Sequence, residues 1–67
     1  MTNTNLLKAK MIQNNKQNND IVKALNLSRQ SVSKKINNHV PFTIDEVVKV
    51  RDCIGLTQQE VMDIFLS

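Results

Sequence analysis

Sixty-seven residues, with 40% apolar and 22% charged side chains, make one small module, too short for a lidded catalytic cleft and too polar for a membrane span. A single Cys53 excludes a disulfide framework and a cysteine-built zinc site, the lone His39 leaves no second soft ligand, and one glycine leaves no phosphate loop; no metal, cofactor or enzymatic chemistry is expected. The net charge of +3 is unevenly spread: residues 1–40 carry seven Lys and Arg against Asp20 alone, a balance of +6, whereas residues 41–67 carry two against five acids, a balance of −3.

Scarce Pro and Gly and only two aromatics, Phe42 and Phe65, favour helices over a turn-rich β-fold. The expected fold is all-α, a compact bundle of about five short helices in one domain, 1–67. From Thr4 to Asn14, Leu7 and Met11 fall four apart and Ala9 and Ile12 three apart, which predicts a first amphipathic helix ended by Asn14 and Asn15. Asn18 to Leu25 places Ile21, Val22 and Leu25 on one face, with Asn18 or Asn19 as the cap and Asp20 favourable in the first turn. The third helix starts at Ser28, runs through Val32 and Ile36 with a long polar face opposite, and closes at Asn37 and Asn38 before Pro41.

Two capping boxes follow. Thr43 to Glu46 and Thr57 to Glu60 both read Thr-x-x-Glu, so that threonine and glutamate satisfy each other's backbone N–H. The fourth helix runs to Ile54 and stops at Gly55; the fifth runs from Gln58 nearly to the end. Val47, Val48 and Val50 have strand propensity, but the caps and the Ile44, Val47, Ile54 spacing agree with helix.

Residues 18–37 have the spacing of a helix-turn-helix, with Asn26 in the turn position that requires positive φ. That geometry presses the second helix into a major groove with its N-terminal side chains at base edges. Arg29 can donate two parallel hydrogen bonds to guanine, Gln30 can pair with adenine, and Ser28 at the helix N-terminus can hold a phosphate. Lys34, Lys35, Lys16 and Lys23 are expected on the DNA backbone.

The stretch Ile21 to Asn38, with Leu-Asn-Leu-Ser-Arg-Gln-Ser-Val-Ser between its two helices, resembles the helix-turn-helix of Cro and CI-type (XRE-like) phage regulators, whose fold is lambda-repressor-like. Val40-Pro41-Phe42-Thr43-Ile44-Asp45-Glu46 resembles a segment of small phage regulators from Gram-positive hosts. The resemblance implies that Ser28, Arg29, Gln30, Ser33, Lys34 and Asn37 face DNA. Three positions depart from the pattern: Asn26 replaces the turn glycine, Val22 a small residue, and Lys35 an apolar residue.

Two functions fit the resemblance. One is a Cro-like regulator of a lysis/lysogeny switch that binds operator DNA. The other is an antirepressor, or modulator of repression, that applies the same surface to the phage's CI-type repressor and alters its DNA binding. Both work in the bacterial cytoplasm, which the polar start Met1 to Asn5 also favours over a secretory signal. At the other end Val61, Met62, Ile64, Phe65 and Leu66 are too many apolar side chains for one helix face. Met62 and Leu66 are expected as an exposed pair that mediates weak homodimerisation.

Overall fold

Helix starts are set by side chains that accept from the first free backbone N–H groups. A computed structural model describes residues 1–66, and these form α1 (Thr4–Gln13), α2 (Asn18–Leu25), α3 (Arg29–Ile36), α4 (Ile44–Ile54) and α5 (Gln58–Phe65). Asn3 caps α1 by accepting from Leu6, and Ser28 caps α3 by accepting from Ser31, each at 3.1 Å. Both Thr-x-x-Glu boxes close: Thr43 and Thr57 each donate their backbone N–H to the glutamate three residues on at 2.8 Å and accept in return at 3.2 Å. In α2 the cap is Gln17, not Asn18 or Asn19. The Asp20 carboxylate accepts the Gln17 N–H at 2.8 Å, and an acid reaching back three residues places the cap there.

Helix ends use the left-handed region. Asn15, Asn26 and Asn38 hold φ of 60°, 55° and 65°, and Gly55 holds 85°. Asparagine is the residue besides glycine that tolerates this region most readily. The asparagine-rich composition therefore has a structural use at three of the four inter-helix connections.

The core is assembled from pairs four residues apart. Leu7 and Met11 in α1, Ile21 and Leu25 in α2, Val32 and Ile36 in α3, and Val50 and Ile54 in α4 are all buried, and Leu56, Ile64 and Phe65 complete the cluster. Such pairs stack on one helix face, and α2 sits between α3 and α4 while α1 packs on α3 and α5. Three expected apolar positions fall outside. Ile12 is 79% exposed and Ile44 is 85% exposed, and Ala9 is exposed beside Ile12. Ile12 lies about 100° round the helix from Met11, and Ile44 is the first residue of α4.

The N-terminal segment ties two helix ends together. Thr4 Oγ1 donates to the Ile36 carbonyl at 2.7 Å and the Asn3 N–H to the Ile64 carbonyl at 2.6 Å, which satisfies carbonyls that α3 and α5 leave without intrahelical donors. Lys10 and Glu60, 2.6 Å apart, join α1 to α5 at the surface. No helix of the described residues is long and apolar enough to cross a membrane.

Candidate functional site

The left-handed Asn26, at φ 55° and ψ 43°, turns the chain sharply enough that only three residues separate α2 from α3. Val32 and Ile36, almost wholly buried, fix the inner face of α3. Helical periodicity then puts Arg29, Gln30, Ser33, Lys34 and Asn37 on one outward arc. Arg29, Gln30, Lys34 and Asn37 are exposed and Ser33 is half-buried. Among the described residues neither Arg29 nor Lys34 belongs to an ion pair. Five of the six residues expected to face DNA thus share a surface on which two full positive charges are uncommitted.

Ser28 and Asn37 bracket the arc and are partly occupied. The Ser28 hydroxyl accepts from the Ser31 N–H and also donates to the Ser31 hydroxyl at 3.0 Å. Asn37 Nδ2 donates back to the Ser33 carbonyl at 2.9 Å and lies 3.3 Å from the Ser33 hydroxyl. Both side chains therefore close helix ends first and have fewer free donors for a ligand.

Beside α3 the start of α2 contributes Asn18 and Asn19, which the sequence pattern reads only as caps, and Gln17, which it leaves without a role. Gln17, Asn18 and Asn19 line an open cleft of about 450 Å³ together with Arg29 and Ser33. Carboxamides and a guanidinium converging on one cleft supply the donors that hold a phosphate oxygen or a polar base edge. A signal was available: a donor-rich Gln-Asn-Asn run opens the first helix of the pair, and the tight turn brings that opening beside the start of the second. Lys23, four residues after Asn19 and exposed, extends this surface along α2, while Lys16 precedes it and is half-buried.

Lys35 is the exception among the expected contacts. Its ammonium is 2.8 Å from Glu46 Oε1, donates to the Pro41 carbonyl at 3.1 Å and stands 6.0 Å above the Phe42 ring. With the side chains of Lys35 and Glu46 only 12% and 18% exposed, this lysine is not available to a phosphate. The Glu46 carboxylate and the Pro41 carbonyl let a lysine fill this largely covered position. Burial raises the Glu46 carboxyl pKa, but the Lys35 ammonium and the Thr43 N–H outweigh this and hold it below its ordinary value.

A carboxyl held low in the folded state stabilises the fold above the unfolded-state value, about 4.3, and loses that contribution as pH falls through the folded value. Glu46→Gln should lower stability at neutral pH by about 1–2 kcal/mol, between exposed and fully buried ion pairs. Its stability should also fall less steeply with acid than the parent's. Urea midpoints across the acid range check this, and parallel curves for the two proteins would remove the role given to the pair.

Cys53 is half-buried, with Sγ 3.7 Å from the Asp20 carbonyl. Burial pushes its thiol above the ordinary value despite nearby Lys16. That leaves a weakly nucleophilic group. Met62 and Leu66 are exposed, as expected, and lie on α5 and its C-terminal cap, outside the α3 arc.

A family model described as "Protein of unknown function (DUF739)" matches residues 3–67. The chain belongs to the DUF739 family. All five helices fall within the DUF739 match, so the family model covers both the α3 arc and the α2 cleft. No curated protein and no solved structure matches the chain.

Proposed function

We propose that this DUF739 chain is a non-enzymatic transcriptional regulator of a phage lysis/lysogeny switch. In this reading α2 and α3 form a helix-turn-helix that binds operator DNA in the cytoplasm of the bacterial host. The observation that carries the reading is the outward arc of α3, where Arg29, Gln30, Ser33, Lys34 and Asn37 face solvent at the end of a tight turn. Arg29 and Gln30 occupy the first two positions of that helix, where side chains reach base edges when such a helix enters a major groove. The cleft of Gln17, Asn18 and Asn19 beside it supplies neutral donors for the DNA backbone. The resemblance to Cro and CI-type regulators supports the same assignment.

One observation favours the second reading, an antirepressor that docks this arc on the phage's CI-type repressor. Ser28, Asn37 and Lys35 commit donors internally, so fewer positive or donor groups remain for phosphates than the residue types suggest.

A gel shift on the gene's own promoter region, with and without the adjacent phage repressor, separates the two. Under the DNA reading the protein alone shifts that fragment, and Lys34→Ala weakens binding to all DNA alike while reducing the salt slope by about one. An unaltered slope would take Lys34 off the phosphates. If only the repressor's shift responds to added protein, the antirepressor reading replaces the first.

A further inference from the structure

The last turn of a helix leaves carbonyls without donors from the helix itself. At the end of α3 three of them are served by the chain that follows directly: the Asn37 N–H donates to Ser33, the Asn38 N–H to Lys35, and the His39 and Val40 N–H groups both to Lys34, at distances between 2.8 and 3.2 Å. The fourth is different. The Ile36 carbonyl takes its bond, at 2.7 Å, from the hydroxyl of Thr4, the first residue of α1 and 32 positions earlier in the chain. Beside it the Thr2 N–H donates to Asn38 Oδ1 at 3.2 Å, and the Asn3 N–H between them is anchored on the Ile64 carbonyl. We propose that Thr4 is a positioning residue for the α3 arc: its hydroxyl pins the C-terminal end of the helix and thereby sets the seat of Lys34 on the DNA backbone.

This role rests on the DNA reading of the arc and carries it outside the helix pair. α3 is held differently at its two ends. Its start follows the turn at Asn26, where the Leu27 N–H reaches the Val22 carbonyl at 3.4 Å, whereas its end is held by side chains of α1 and α4. Rotation about the turn displaces each residue in proportion to its distance from it, and at 1.5 Å per residue Lys34 stands about 7.5 Å further along α3 than Arg29. A loosened end therefore moves Lys34 and spares Arg29.

Lys35 grips the same end through Glu46 and Pro41, but from the tip of a flexible four-carbon stem. Thr4 acts through a short side chain that is stiff at χ1, so α1 fixes where the Ile36 carbonyl sits. Without the hydroxyl this partly buried carbonyl loses its donor, a costly state, and it regains one by turning out to water. That shifts the last turn of α3.

Thr4→Val keeps the branched shape and removes the donor, while Thr4→Ser keeps the donor. In proton–nitrogen correlation spectra of the full chain without DNA, Thr4→Val should move the amides of Lys34 to His39 and leave those of Arg29 and Gln30 in place. Its operator affinity should fall by about two- to thirtyfold, the range for residues that act on a site without touching its ligand. The salt slope should fall with it, and base preference should stay. Thr4→Ser should bind as the parent does. Val61→Ala, which trims a half-buried residue of α5 and leaves the Thr4 hydroxyl in place, should lower the urea midpoint without weakening binding. On a Lys34→Ala background the Thr4→Val loss should largely vanish, and on an Arg29→Ala background it should persist, because coupled residues depart from additivity and independent ones do not. Parent affinity in Thr4→Val, a loss that Thr4→Ser shares, a loss that adds in full to that of Lys34→Ala, or a Thr4→Val chain that does not fold would each overturn this role while leaving the DNA reading intact. A parent protein that binds no operator would overturn both.

Discussion

Ile21→Ala should leave much of the protein unfolded at room temperature, whereas Ile12→Ala should leave its stability within about 0.5 kcal/mol of the parent. Ile21 is 1% exposed in α2, the helix that packs on both α3 and α4. Removing a buried isoleucine down to its Cβ costs about 2–5 kcal/mol, from lost apolar transfer and the cavity left behind. A core of this size supplies only about 3–5 kcal/mol in total, so one substitution consumes most of it. Ile12 has the same side chain on an outer face, where truncation opens no cavity. Urea titration followed by circular dichroism distinguishes them, and a parent-like midpoint for Ile21→Ala would mean that α2 is not the centre of the core.

The contrast between these two isoleucines also shows what the sequence discloses. Caps are local chemistry, so Ser28, Thr43, Thr57 and Gly55 announced helix ends within a residue of where they fall, and the all-α class followed. Pairs four apart pointed to the buried face of each helix. Ile12 and Ile44 lie outside the core: periodicity identifies a stripe but not how much of it a neighbouring helix covers. In a bundle of helices only eight to eleven residues long, that cover ends within a turn.

The α3 arc was legible for the same local reason, since Val32 and Ile36 define the inside and everything opposite is outside. Lys35 was not. Its partner Glu46 is eleven residues away and already had an assigned use, accepting from Thr43 in the capping box. One carboxylate oxygen takes both bonds, and a pattern read along the chain does not show a second donor arriving from another helix. The cleft of Gln17, Asn18 and Asn19 is hidden for a related reason: Asn18 and Asn19 read as caps and Gln17 as connection, and only the turn at Asn26 places them beside Arg29.

Arg29→Ala should cost about 1–3 kcal/mol of specific DNA binding, a loss of between fivefold and somewhat over a hundredfold, and should relax preference at one base pair. The size follows from geometry: an exposed guanidinium at the first position of α3, with no ion pair to give up among the described residues, can direct two parallel donors at one base edge. Nothing in the fold rests on it. Arg29 is exposed and its side chain caps no helix end, so helicity and the urea midpoint should stay at parent values, and lost binding can then be read as lost contact. The neighbouring Lys34→Ala gives the comparison, because a phosphate contact weakens all sequences equally while a base contact weakens the cognate site most. Competition titrations of operator against scrambled DNA at fixed salt measure that ratio. Under the antirepressor reading the same substitution instead lowers complex formation with the phage repressor and leaves weak, sequence-indifferent DNA binding as it was. An Arg29→Ala protein with parent affinity for both operator and repressor, and unchanged circular dichroism, would remove the α3 arc as the functional surface.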